Sequence, residues 1–122
     1  MLTTSPIIDG LGRLAALQPN WDADGADLID PEIIRAAREF AQQLPEDMAG
    51  PPSVVPIANG SLQFEWDEGP RSLEFEFEDI ETIGYLKWHP EEGIEDEGVL
   101  GLNEIDKAIS LLRWLTKGTT NV

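Results

Sequence analysis

The sequence predicts an α+β fold: an antiparallel sheet of about four strands with helices packed on one face, in the order ααββββα. Three observations predict it. Residues 62–67 and 73–78 alternate apolar side chains with polar ones, all acidic except Gln63, the period of two that a strand with one buried face requires. Apolar residues at helical spacing precede these segments twice and follow them once. Short hairpin signals, Asn59-Gly60 and Asp67-Glu-Gly-Pro70, join the patterned runs. One domain over residues 1–122 is expected, with helices over about 6–17 and 31–44, a sheet over 53–89, an acidic loop over 90–99 and a last helix over 103–117.

The first helix rests on Ile7, Ile8, Leu11, Leu14 and Leu17. Gly10 and Gly12 weaken it and Pro19 ends it. The second has a strong start: Asp30 as N-cap, Pro31 in the first helical position and Glu32 in the first turn. Ile33, Ile34, Ala37, Phe40, Ala41 and Leu44 form its apolar stripe, and a loop over 46–52 follows. Val54 to Ile57 reads as a short strand, placed at an edge by Pro56. Asn59-Gly60 predicts a type I′ turn, which needs positive φ at both residues. Strands over 61–67, 71–78 and 82–88 follow. The run Glu91-Glu-Gly-Ile-Glu-Asp-Glu-Gly98 reads as a loop because carboxylates and glycines have low strand propensity. Asn103 is the expected cap of the last helix, with Asp106 completing an approximate capping box and Gly118 ending it.

Charge narrows the function. The chain carries 24 acidic and 8 basic residues, a net charge of −16. Without a basic patch it is not expected to bind nucleic acid directly, or an anionic membrane surface. There is no cysteine, which removes thiolate chemistry and Cys-ligated zinc. The N-terminal residues lack the basic and long apolar stretches of a signal peptide, so a cytoplasmic location is expected. No catalytic motif appears, so no enzyme, no catalytic residue, no metal and no cofactor is expected.

The acidic strand face is the principal candidate site. Residues 61–99 hold 13 acidic and 2 basic residues, more than half the carboxylates in a third of the chain. Along a strand, carboxylates at i and i+2 lie roughly 6.6 Å apart, and the next strand is about 4.8 Å away. Such a lattice imitates, in part, the phosphate field of a nucleic acid. The bland alternative is a solvated face in an acidic protein, but like charges stacked across strands are destabilising. The expected contacts are Glu65, Asp67, Glu74, Glu76 and Glu78, with Glu91, Glu92, Glu95, Asp96 and Glu97 of the acidic loop as a second region; Glu68, Asp79 and Glu81 would extend the field. Either Tyr85 or Trp88 falls on the carboxylate side and would anchor a partner. Trp114 leaves a homodimer open.

Two further features offer candidate chemistry. Asn20, Asp22, Asp24 and Gly25 fit positions 1, 3, 5 and 6 of a calcium loop, but position 12 is Pro31 rather than Glu. The favoured reading is an Asx-rich turn pinning the first two helices, with Trp21 as a core anchor. His89, the sole histidine, is expected on the surface at a strand end rather than as a metal ligand.

The Asn20-Trp-Asp-x-x-Gly-Ala26 loop, Pro31, the Leu-Pro helix end, Asn59-Gly60 and the strand ending Phe64-Glu-Trp66 resemble a group of small uncharacterised bacterial proteins. The resemblance spans roughly residues 17–88 and implies a shared fold but no activity; Asp24 lies outside the shared pattern. In general character the chain is also similar to acidic anti-CRISPR and anti-restriction inhibitors. The expected function is therefore an acidic inhibitor that occupies the basic groove of a nuclease, a CRISPR effector or another nucleoprotein complex. An antitoxin or immunity protein masking a cognate toxin is the first alternative, and a calcium- or metal-binding module the second.

Overall fold

The computed structural model describes residues 5–45 and 49–120. Three α-helices and five strands follow in the order α1 (Ser5–Ala15), α2 (Pro31–Ala41), β1 (Ser53–Pro56), β2 (Leu62–Glu68), β3 (Arg71–Phe77), β4 (Thr82–His89), β5 (Ile94–Gly101) and α3 (Ile105–Thr120). All strand pairs are antiparallel, and the sheet runs β1-β2-β3-β4-β5, a simple meander. The class is the expected α+β, with five strands instead of about four. The additional strand is β5, where a loop was expected. A 3-10 turn at Pro90–Glu92 and a left-handed Gly93 reverse the chain, and residues 94–101 then pair in register with β4. Ladder pairing with β4 thus overrides the low strand propensity of Glu, Asp and Gly.

The core lies between the helices and one face of the sheet. Leu62, Phe64, Trp66, Leu73, Phe75, Phe77, Ile83 and Leu100 supply the sheet side, all buried. Phe40 of α2 meets Phe75 and Phe77 edge-on, with ring centroids 5.8 and 5.7 Å apart. From α1 come Ile7, Leu11 and Leu14, and from α3 Ala108, Leu112 and Leu115. Trp66 donates its indole N–H to the Gly50 carbonyl at 2.9 Å, which satisfies the polar atom of a buried ring. Gly10 is a contact rather than a weakness. A Cβ built there would lie 2.8 Å from Cγ2 of Val54, so only glycine lets α1 lie this close to β1.

Several local devices match the sequence and several differ. Asp30 caps α2 as expected, its carboxylate accepting the Glu32 N–H at 2.9 Å. α2 ends at Ala41, three residues short of the expected 44, and the expected loop over 46–52 lies partly outside the described residues. The Asn59-Gly60 hairpin forms, but not as a type I′ turn. Gly60 alone is left-handed (φ 96°) and donates to the Ile57 carbonyl at 3.0 Å, while the Asn59 side chain accepts the Ser61 N–H and hydroxyl at 3.0 and 2.6 Å. α3 begins at Ile105, so Asn103 is not its cap; the Glu104 carboxylate instead accepts the Gly101 N–H at 2.7 Å. The helix continues through Gly118 to Thr120. No helix among the described residues is long and apolar enough to cross a membrane.

Candidate functional site

Strand register divides the sheet residues between two faces. Phe64 pairs with Phe75, and Phe75 with Tyr85, so these positions and their alternates face the helices. The intervening positions face outward, and no described helix packs on them, because the buried helix residues all meet the inner face. Three rows cross the outer face. The first is Val55, Gln63, Glu76, Gly84 and Val99; the second Ser53, Glu65, Glu74, Leu86 and Glu97; the third Asp67, Ser72, Trp88 and Glu95.

Six of the expected site residues therefore share one face: Glu65, Asp67, Glu74, Glu76, Glu95 and Glu97. The last two join it only because residues 94–101 form a strand. Glu78 follows β3 directly and its charge acts on Glu76. Asp96 departs from the expected site: it pairs with Lys87 on the opposite side of β5. Glu91 and Glu92 are exposed in the 3-10 turn at the end of the β4–β5 hairpin, off the strand lattice. Glu68 has the parity of the core residues, and Asp79 accepts the N–H groups of Glu81 and Thr82, both at 2.8 Å, so it fastens its own turn.

The only basic residues within the strands, Arg71 and Lys87, both fall on the helix side. Each lies 5.0 Å from the ring centroid of Trp114, and the Arg71 guanidinium also donates to the Trp114 carbonyl. Trp114 is thus a half-buried part of the α3 seam. The outward positions of the five strands carry no lysine or arginine to neutralise their carboxylates.

The electrostatic result is visible at the centre. Burial holds the Glu74 carboxyl above the usual range, reinforced by the charges of Glu65, Glu76 and Asp67. Burial and then the Glu78 charge raise Glu76, against a weak 3.4 Å hydrogen bond from Gln63. A cation placed beside either group would favour its charged form and oppose this shift.

The outer face is not uniformly acidic. Of the two aromatic candidates, Trp88 is the outward one, 44% exposed; Tyr85 turns inward across Gly98, where a Cβ would lie 2.8 Å from its hydroxyl. Leu86 and the 66% exposed Val99 complete an apolar strip on β4 and β5. Gly84 has no side chain to fill this strip. The result is a depression of about 430 Å³ bounded by Glu74, Glu76 and Glu97, with Leu86 and Val99 as its apolar walls. Apolar stem contacts beside carboxylates suit a long cationic side chain.

The other candidates resolve structurally. His89 is buried at 5% exposure, not on the surface. It has core parity in β4, and its Nδ1 accepts the Glu92 N–H at 3.3 Å, which starts the 3-10 turn. In the 20–25 loop, Asp22 accepts the N–H groups of Asp24 and Ala26 at 2.8 and 3.0 Å, and Asn20 accepts that of Gly25 at 2.6 Å. The expected Asx-rich turn is present, and half-buried Trp21 donates to the Asp27 carbonyl at 3.0 Å while packing on the core. Among the described residues no three His, Cys, Asp or Glu side chains converge as a metal site. The apolar strip and the Gly84 depression were missed from sequence. The alternation of Gly84, Leu86 and Trp88 was visible, but its continuation on Val99 required β5.

The fold and this face define a class: a meander sheet, helices on one side, and an open anionic surface with an exposed aromatic, Trp88, in its last row. No protein-family model, no curated protein and no solved structure matches the chain.

Proposed function

We propose that this protein is a non-enzymatic inhibitor that docks the outer face of its sheet onto a basic, nucleic-acid-binding surface of another protein or nucleoprotein complex. The observation that carries the reading is the sorting of charge: the outward carboxylates stand together while Arg71 and Lys87 are turned to Trp114 on the far side. A face that pays for like-charge contacts with no internal cation is matched by a cationic surface. Trp88 supplies the anchor that charge alone lacks. The general likeness to acidic anti-CRISPR and anti-restriction inhibitors agrees with this chemistry.

The test is capture from the native host with immobilised wild-type protein and the Glu74→Lys/Glu76→Lys variant, followed by a nucleic-acid-binding assay of the captured protein. Wild type should retain its partner at about 0.05 M salt, release it at about 1 M, and block its nucleic-acid binding. Equal capture and equal inhibition by the double variant would remove the face from the function.

One observation favours a second reading, an antitoxin or immunity protein. The Leu86, Trp88 and Val99 strip gives an apolar contact that salt does not weaken. A complex that survives about 1 M salt and is broken by Trp88→Ala would select masking of a cognate toxin over imitation of a phosphate field.

A further inference from the structure

We propose that the open edge of β5 accepts an extended basic segment of the partner as a sixth strand, with its long cationic side chains crossing β5 into the Gly84 depression. The inference rests on the basic-partner reading above and specifies its mode. β5 is the last strand of the sheet, and among the described residues no backbone hydrogen bond joins it to any strand but β4. Its eight residues include no proline, and Glu95, Asp96, Glu97 and Val99 are all exposed. An edge of this kind is a template for strand addition.

The opposite edge does not offer this. β1 has four residues, ends in Pro56, and lies against α1 at the Gly10–Val54 contact. The two edges are therefore chemically distinct.

Charge selects the occupant of β5. Glu95 and Glu97 face outward and Asp96 faces the helix side, so an added strand meets carboxylates on both of its faces. A second copy of the chain would bring its own three carboxylates against these and be repelled. Lys87, the cross-strand neighbour of Asp96, has its ammonium over Trp114. A segment with lysine or arginine at alternate positions satisfies the outward carboxylates, and the stem of one of them lies beside Val99.

Geometry links this edge to the depression. An added strand would lie about 4.8 Å beyond β5. A lysine or arginine on its outward face, beside Val99, then has to cross β5 to reach the near rim of the depression beside Gly84 of β4. Its stem would rest on Val99 and its head would meet Glu97, while Glu74 and Glu76 on the far rim add to the field around it. A Cβ at Gly84 meets nothing within 4 Å, so the space there is open.

The probe is an acetylated, amidated Lys-Val-Lys-Val-Lys-Val-Lys peptide, compared with its analogue N-methylated at alternate residues, which has equal charge but cannot complete a ladder. Calorimetry gives affinity, and amide hydrogen exchange reads residues 94–99. The expected result is slowed exchange in β5 with the parent peptide and at least tenfold weaker binding of the N-methyl analogue. Gly84→Val, which fills open space, should keep its melting temperature and weaken the parent peptide several-fold. Equal binding of both peptides without protection of β5, or no binding by either, overturns strand addition. The Glu74→Lys/Glu76→Lys variant separates the two levels. If it weakens both peptides equally while N-methylation has no effect, the anionic face stands and the edge falls. If it leaves ladder-dependent binding unchanged, the edge stands and the face falls.

Discussion

Glu65 and Glu74 stand directly opposite each other in the β2–β3 ladder, on a face whose outward strand positions carry no lysine or arginine. Directly opposed like charges destabilise a sheet, typically by some tenths of a kcal/mol to about 1 kcal/mol. Glu74→Gln keeps the shape and removes the charge that burial and Glu65 oppose. The variant is expected to be more stable by about 0.2–1 kcal/mol, read as a higher denaturant midpoint at unchanged slope, and to bind a basic partner less tightly. A variant that is less stable would mean the pair is held together by something other than partner recognition.

The same charges set the response to pH. Glu74 and Glu76 bind protons more tightly in the folded chain than the ordinary Glu value of about 4.3. Their contribution is thus fully present below the unfolded value and lost as pH rises through the folded one. Asp79 and Glu104 oppose this. The N–H groups of Glu81 and Thr82 lower Asp79, and Lys107 and the Gly101 N–H lower Glu104. Those two stabilise above their unfolded values and lose that contribution as pH falls through the folded ones. The melting temperature should rise as pH is lowered from neutral toward the ordinary Glu value of about 4.3, and fall again on further acidification as Asp79 and Glu104 take up protons. Added salt at pH 7.5 should raise it as well, since it screens the repulsion. A melting temperature that only falls on acidification contradicts the assignment.

Gly10 and Gly12, two positions apart on α1, should respond with opposite signs. Gly12→Ala adds a methyl group into open space and is expected to stabilise by about 0.5–1 kcal/mol. Gly10→Ala drives its Cβ to 2.8–2.9 Å from Val54, a branched side chain held in a strand, and should cost about 1–3 kcal/mol. Equal effects in a thermal denaturation series would mean that α1 does not press on β1.

Trp88→Ala removes an exposed ring from the outer face and leaves the core untouched. Circular dichroism and the melting midpoint are expected to stay close to wild type, while partner affinity falls by tenfold or more, about 1.4 kcal/mol. Unchanged affinity would exclude Trp88 as an anchor.

Calcium and EDTA are expected to leave the melting temperature unchanged. The side-chain oxygens of Asn20 and Asp22 already accept backbone N–H groups of their own loop. A bound ion would raise the midpoint by mass action, so a rise of several degrees with calcium would restore the metal-binding alternative.

Several residue-level mechanisms in the sequence carried through to the fold, although the type I′ turn at Asn59-Gly60 and the Asn103 cap did not. The alternation in β2 and β3, the Asp30-Pro31-Glu32 start of α2 and the apolar stripes of the helices each appear in the structure. β5 was not legible because its strand character comes from pairing with β4, which no property of Glu95, Asp96 or Gly98 announces. His89 was misplaced for a related reason: as the last residue of β4 it inherits the inward parity of Ile83, and β5 pairs beside it. The carboxylates of the middle strands could be placed by counting, whereas their apolar neighbours on the same face could not. Gly10 read as a helix fault because the residue it accommodates, Val54, is forty-four positions away.

The shortness of β1 and its closing Pro56 bear on how many molecules can gather. A sheet with one short, proline-ended margin and one open margin can end a stack of strands but is poorly made to hand it on to a further copy. Whatever joins the open margin meets a terminus, so assemblies built through this sheet stop at a single guest instead of growing into a fibre.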